Sequence, residues 1–351
     1  MIRVGLIGFG LAGQAFHAPV IQAVEGMELA CILERRTSHA REKYPDVRLA
    51  RTMDDLLSDA SIQLGVVATP NDTHFELARE CLAAGRHVVV DKPFVPTLAE
   101  AEELVRLSAK AGRLITVYQN RRWDGEFQTL RKIVHSGTLG QIAEYEARFD
   151  RFRPQPKNAW RERRDQPGAG VLWDLGPHLI DQALVLFGEP QSIVASAFCQ
   201  RATSEVDDAF DVCMEYPGLR AMLRARIIAF APGPHLLIHG TKGSFVKYGM
   251  DPQEERLRAG KFPEGKDWGA DWGEEPEEQW GTLSIAGGAS KKIKTERGDY
   301  RGFYANIRDA IDKGVALDVT PEQALRTMRA IVLAQKSSAE GRRVGWGETP
   351  E

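Results

Sequence analysis

A chain of 351 residues is too long for one small core and predicts two domains. Its 27% charged and 43% apolar residues describe an ordinary soluble protein, and a net charge of −3 offers no attraction to nucleic acid or to a membrane surface. No apolar run reaches the length of a membrane span, and because the N-terminus reads as entering a strand at once, no signal peptide is expected. Cys31, Cys81, Cys199 and Cys213 are scattered without C-x-x-C spacing. That predicts reduced thiols, a cytoplasmic setting and no metal.

The first apolar run, Val4-Gly5-Leu6-Ile7, reads as a buried strand. Behind it stands Gly8-Phe9-Gly10-Leu11-Ala12-Gly13, and then a helix-like segment. Strand, glycine turn and helix give G-x-G-x-x-G its meaning as a dinucleotide-binding loop. Gly8 allows a tight turn, Gly10 lets a pyrophosphate approach the backbone, and Gly13 lets helix and strand pack closely. The free N–H groups of the helix start would receive the pyrophosphate. Pro19 predicts a break or kink in this first helix.

The next strand, 29–33, ends at Glu34. An acid about twenty residues past the glycines holds the ribose hydroxyls of NAD. Arg35 and Arg36 follow at once, and a guanidinium clamps the 2′-phosphate of NADP. The residues carry both signals, so the cofactor is NAD or NADP.

Farther on, 38–44 reads as helix, with a short extended segment near Leu49 and a helical turn over 53–58. Strand 62–68 leads into the loop Thr69-Pro70-Asn71-Asp72-Thr73-His74, which is expected to line the cofactor groove. Helix 76–84, strand 87–90, helix 98–111 and strand 114–118 complete the series. Strands separated by helices predict a doubly wound parallel sheet covered on both faces. The expected division is a Rossmann domain over 1–120 and a second domain over 121–351.

In the second part, 127–136 is helical, 142–152 alternates as a long strand and 172–187 is helical. Strand-like runs follow near 193–200, 208–216, 219–229 and 236–240, with a turn at Pro217-Gly218. This predicts an α+β domain with a large, open, mostly antiparallel sheet and helices on one face. An open face needs a cover, and pairing of two or four copies through it is expected. The stretch 267–280, rich in Trp, Gly and acid, reads as an ordered loop, structural or interfacial rather than catalytic. A final helix, 321–340, starts with Thr320 as cap and Pro321 in first position, and is expected to pack near the first domain.

Three places can carry chemistry. Lys92, in Asp91-Lys92-Pro93, follows strand 87–90, and ligands of such sheets bind beyond the carboxyl ends of the strands. Asp174 and His178 are four residues apart in Trp173-Asp174-Leu175-Gly176-Pro177-His178, which puts a carboxylate and an imidazole on one helical face. Pro177 then has to sit in the first helical turn. Asn120, Arg121 and Arg122 follow the last Rossmann strand, where the interdomain cleft is expected. Each has a plainer reading: a surface lysine, a helix-start acid with a buried histidine, and a solvated basic pair.

Together these pieces resemble the Gfo/Idh/MocA oxidoreductases: G-x-G-x-x-G, then T-P-N-x-x-H at 69–74, a strand ending in an acid-Lys-Pro at 91–93, Asn-Arg-Arg at 120–122 and D-x-G-x-H-x-x-D at 174–181. Phe16-His17-Ala18-Pro19, Asn120–Asp124 and Trp268-Gly269-Ala270-Asp271 are similar to the branch that contains an NADP-dependent scyllo-inositol dehydrogenase. The resemblance implies hydride transfer between nicotinamide and a secondary alcohol of a polyol or sugar, with Lys92, Asp174 and His178 as catalytic residues. It implies cofactor contacts from the glycine loop, Glu34 to Arg36, Thr69, Pro70, Asn71, His74, Asp91, Lys92 and Asn120. Arg121, Arg122 and Trp160 join the catalytic three as candidate substrate contacts. Asp91 departs from the family's commoner glutamate. Two other functions stay open on the residues: a non-catalytic nucleotide-sensing regulator on the same fold, and a reductase of a different carbonyl compound.

Overall fold

The computed structural model describes residues 1–156, 160–262 and 272–349. Trp268–Asp271, and with them 267–271 of the Trp-rich loop, lie outside the described residues. The chain forms two compact units. The first holds Met1–Trp123, Pro252–Trp272 and Asp299–Leu325; the second holds Asp124–Asp251, Gly273–Gly298 and Arg326–Glu351.

In the first unit six strands form a sheet: β1 (Ile2–Ile7), β2 (Met27–Leu33), β3 (Arg48–Ala50), β4 (Leu64–Val67), β5 (His87–Val90) and β6 (Ile115–Val117). Their order is β3-β2-β1-β4-β5-β6, with every neighbouring pair parallel. Near-continuous burial of β1, β4 and β5 is what a sheet covered on both faces requires. Helices α1 (Ala18–Gln22), α2 (His39–Lys43), α3 (Met53–Leu57), α4 (His74–Ala83) and α5 (Leu98–Ala111) connect the strands. Thr97 and Glu100 close a capping box on α5, which ends at left-handed Gly112. The strand order reverses between β1 and β4, and there a doubly wound sheet opens its ligand crevice.

The glycine loop sits at that reversal. Gly8 has φ +98°, and a Cβ on it would come within 2.6 Å of the Ala68 carbonyl oxygen. A Cβ on Gly13 would run into the carbonyl oxygen of Gly8. The helix that follows is wound as a π-turn over Gly13–His17 and becomes α-helical at Ala18. Helical backbone runs on from Leu11 to Gln22, so Pro19 stands inside it, two residues past the π-turn, and the irregularity falls just before the proline.

The two later stretches complete this unit. Helix Arg301–Lys313 turns Phe303, Tyr304, Ile307 and Ala310 inward, and Phe303, Tyr304 and Ile307 join one core with Ile2, Leu6, Ile32, Val89 and Tyr118. The last of these stretches ends in the first five residues of helix Pro321–Glu340, whose remainder belongs to the second unit; the helix begins as expected at Thr320, whose hydroxyl accepts the Gln323 N–H at 3.3 Å while Gln323 Oε1 accepts the Thr320 N–H at 3.1 Å.

The second unit is built on α6 (Gly125–His135), α7 (Val171–Phe187) and a mixed sheet of β7 (Ile142–Asp150), β8 (Ser192–Phe198), β9 (Ala209–Tyr216), β10 (Leu219–Arg226), β11 (Leu236–Gly240), β12 (Gly243–Lys247), β13 (Gly281–Ile285), β14 (Lys291–Ile293) and β15 (Val344–Gly345). The order is β14-β13-β12-β11-β7-β10-β9-β8-β15, antiparallel among the described residues except for β7 beside β10. Tyr145, Ala147 and Phe149 of β7 are buried, and α7 packs on β7, β9 and β10. The alternate positions carry ion pairs instead: Glu146 with Arg148 and Arg224, and Asp211 with Arg226.

Pro177 corrects an expectation. It is the seventh residue of α7, not part of the first turn. The carbonyl of Trp173 consequently receives no bond from residue 177, a loss of about 3 kcal/mol for an interior proline. Burial of Leu172, Trp173, Leu175, Leu179 and Ile180, each worth about 1.5–3 kcal/mol, holds the helix through it.

Gly10 separates packing from ligand contact, because a Cβ there would meet nothing within 4 Å. Gly13→Ala should lower the urea midpoint, with a loss of about 1–3 kcal/mol from overpacking, whereas Gly10→Ala should leave that midpoint unchanged and weaken only cofactor binding in a fluorescence titration.

Candidate active site

Each candidate residue is placed by its local fold. Gly8 to Gly13 follow β1 at the carboxyl end of the sheet, and the open Cα of Gly10 is the place where a pyrophosphate can reach the backbone. These residues fit a dinucleotide. On the next loop, the Thr73 hydroxyl lies 2.7 Å from both Thr69 Oγ1 and the Pro70 carbonyl, which tightens the turn after β4. His74 is fully buried, with Nε2 at 2.9 Å from the Thr69 carbonyl and Nδ1 at 3.0 and 3.1 Å from those of Pro93 and Phe94. It thereby ties the turn after β4 to the one after β5.

Lys92 follows β5, as the sequence indicates, and is preceded by buried Asp91. Asp91 Oδ1 accepts the backbone N–H of Lys92 at 2.8 Å. Burial pushes the Asp91 carboxyl up, but the facing His17 and the charges of Lys92 and His74 outweigh it and bring it down to about 2.

Glu34 follows β2 with its carboxylate turned inward. Oε1 accepts from the Thr37 hydroxyl and from the His39 N–H at 3.3 Å, and Oε2 accepts from the Ala40 N–H at 3.0 Å. The acid caps the first turn of α2 and closes the loop over 34–40. Arg51 holds the same loop from outside, donating to the Glu34 carbonyl at 2.7 Å, to the Thr37 carbonyl and to Ser38 Oγ at 2.8 Å. Arg35 and Arg36 stay exposed.

Asn120, Arg121 and Arg122 form one 3-10 turn and are buried. Arg121 pairs with Glu254, and Arg122 donates to the Asp318 carbonyl at 2.6 Å and to Gln323 Oε1 at 2.8 Å. Both guanidinium groups bind the later stretches of chain into the first unit.

In the second unit, Asp174 and His178 lie one turn apart on α7. His178 is buried beside Phe149, with ring centroids 6.4 Å apart. Asp174 is part-exposed and faces Arg161 at 3.5 Å, and the Arg161 guanidinium stacks on Trp160 at 4.4 Å. The start of α7 is fixed by Asp207, whose Oδ2 accepts the Leu172 N–H at 2.7 Å and whose carbonyl accepts the Val171 N–H at 2.9 Å. Gly170, with φ +99°, lies so close to this carboxylate that a Cβ would strike it. Neither Arg161 nor Asp207 figures in the sequence reading. The repeated Arg and Glu around Trp160 gave no periodic signal to single out Arg161.

Such a chain is an oxidoreductase with a nicotinamide-dinucleotide domain. Residues 2–119 match the family model described as "Oxidoreductase family, NAD-binding Rossmann fold", and residues 131–345 match "Oxidoreductase family, C-terminal alpha/beta domain". The chain belongs to the Gfo/Idh/MocA oxidoreductases. It is 38% identical over 346 residues to the scyllo-inositol 2-dehydrogenase (NADP(+)) IolW of Bacillus subtilis, covering 98% of this chain and 95% of that protein. It is 42% identical to the uncharacterized oxidoreductase YdgJ of Escherichia coli, covering 96% of each. The solved structure of yvaA from Bacillus subtilis superposes with a TM-score of 0.93 at 37% identity over 98% of each chain. No helix among the described residues is long and apolar enough to cross a membrane.

The Asp91 carboxyl gives a pH prediction. Its folded value of about 2 lies below the ordinary 3.8, so its contribution to stability is present above about pH 4 and is lost as pH falls toward 2. Asp91→Asn should cost about 2 kcal/mol at pH 7, with the gap to wild type closing in urea melts as the pH is lowered toward 2.

Proposed function

We propose that this protein is an NAD(P)-dependent dehydrogenase acting on a secondary alcohol of a polyol or sugar, of inositol type. The observation that carries the reading is the carboxylate–imidazole pair one turn apart on α7, in a chain whose first unit is a dinucleotide-binding domain bearing Lys92 at a strand end. The name of the Bacillus subtilis relative supports the substrate class.

A bound nicotinamide supplies the hydride acceptor. His178 takes the hydroxyl proton as general base, at the neutral pH where imidazole changes charge. Lys92 donates to the same oxygen as its negative charge develops. Asp174, facing the Arg161 guanidinium, is an acceptor for neighbouring hydroxyl groups rather than a proton donor. Trp160 and its stacked Arg161 line the substrate position beside Asp174. Arg121 and Arg122, engaged internally, hold the loop and leave substrate contact to these groups. The face of the second sheet that carries Glu146, Arg148, Arg224 and Arg226 is the surface on which copies of the chain pair.

Lys92→Ala should retain the fold and cofactor affinity and lose about 10²- to 10⁴-fold in kcat. Alcohol oxidation should rise with pH as His178 deprotonates, and His178→Ala should flatten that limb. A screen of inositols and aldoses for NAD(P)H formation supplies the substrate for both measurements, and a pH profile unchanged in the His178 variant would remove the base assignment.

With Glu34 engaged in the loop over 34–40, Arg35 and Arg36 are left to meet the ribose, which favours acceptance of NADP. Replacing both by alanine should raise the NADP Kd by about tenfold or more, the worth of one charge-assisted hydrogen bond, while the NAD Kd stays nearly constant. Equal losses for the two cofactors would place these arginines away from the 2′-phosphate.

A further inference from the structure

Next to Lys92, three buried polar side chains from separate elements meet inside the first unit. His17 ends the π-turn after the glycine loop, Asp91 follows β5, and Tyr304 stands on helix Arg301–Lys313. The Tyr304 hydroxyl is 2.6 Å from His17 Nδ1. Burial drives the Tyr304 phenol well above its ordinary value, so its O–H remains available to donate. With the Tyr304 hydroxyl donating at Nδ1, the imidazole proton lies on Nε2, which faces Asp91 Oδ1 at 3.8 Å, a charge contact longer than a hydrogen bond. That same oxygen accepts the backbone N–H of Lys92. The His17 ring lies on Tyr118, centroids 4.3 Å apart, and the Tyr118 hydroxyl donates to the Phe16 carbonyl at 2.9 Å. The imidazole is thus held on one side by a ring and at one nitrogen by a phenol, with its other nitrogen aimed at the carboxylate.

Polar groups in an otherwise apolar core cost stability unless they are paired, and a leucine and a phenylalanine would fill these places without that cost. We propose that Tyr304, His17 and Asp91 form a buried relay that fixes the backbone at residue 92 and so aims the Lys92 ammonium. His17 and Tyr304 are positioning residues in this arrangement. The inference rests on the role given to Lys92 above, but the link between His17 and the charge of Asp91 stands apart from it.

The groups facing Asp91 are His17 from the π-turn, Lys92 from its own segment and His74 from the start of α4; Tyr304 and Tyr118 face His17 from the other side. Burial lowers the pKa of His74, and its nitrogens already lie against three carbonyls. His17 is therefore the partner whose removal should free the Asp91 carboxyl.

The test uses His17→Leu, His17→Gln and Tyr304→Phe. In ligand-free protein carrying 13C-labelled aspartate, the Asp91 carboxyl should titrate about one pH unit higher in His17→Leu and shift the same way in Tyr304→Phe. His17→Gln keeps an N–H to offer and should stay near wild type. In turnover, His17→Leu should lower kcat roughly tenfold with KM little changed, His17→Gln should restore most of it, and His17→Leu should add nothing in an Asp91→Asn background. An Asp91 titration untouched by His17→Leu, equal damage from Leu and Gln, or a shifted carboxyl with unchanged kcat would each overturn the relay. Should Lys92→Ala prove fully active, the role of Lys92 falls, and the carboxyl titration still decides whether His17 governs Asp91.

Discussion

The close approach of Gly13 to the Gly8 carbonyl is the constraint on which the first unit's ligand end depends. A side chain at either glycine would push the following turn away from the end of β1, because Gly8 is also pressed against Ala68 at the end of β4. With both positions bare, the turn from Gly13 to His17 packs directly over the point where the strand order reverses. His17 then reaches the residue after β5, and three separate strand ends are registered against one another by contacts of a few ångströms.

The second unit solves a similar problem with a charged residue. The helix carrying Asp174 and His178 starts at a left-handed glycine, and its first N–H groups are met by Asp207 from the approach to β9. An N-terminus fixed in this way sets the rotation of α7, and with it the direction of every later side chain. The interior proline three residues past Asp174 does not disturb that rotation, because the apolar side of the helix is buried along most of its length.

How much of this was legible in the sequence depended on whether the signal was local. Strand 87–90, helices 98–111 and 321–340, and strand 236–240 coincide with the observed elements, since each is a single apolar or amphipathic run between clear stop signals. Helix Arg301–Lys313 and strands β12 to β15 were not read, although Phe303, Tyr304 and Ile307 carry a helical period; they are short or embedded in polar sequence. Catalytic candidates Lys92, Asp174 and His178 were visible as motifs. Their supports were not: His17 is a single histidine in a helix-like segment, and its partners lie 74 and 287 positions away. Glu34 shows the opposite limit. Its position after β2 was legible, and so was the helix over 38–44, but the turn of its carboxylate back onto Thr37 and the first N–H groups of that helix, at His39 and Ala40, was not.

The late arrival of Tyr300, Phe303, Tyr304, Ile307 and Val319 in the first unit's core has a consequence during synthesis. A ribosome adding about 5–20 residues per second would need roughly 9–35 s to travel from Trp123 to Asp299. For that interval the nascent Rossmann sheet lacks these core residues, and Tyr118 and His17 have each other but neither Phe303 nor Tyr304. The glycine loop can form early from local contacts, whereas the completed core has to wait for a distant part of the same chain. The unit is therefore vulnerable to chaperone capture, and to premature termination, far longer than its own 123 leading residues suggest.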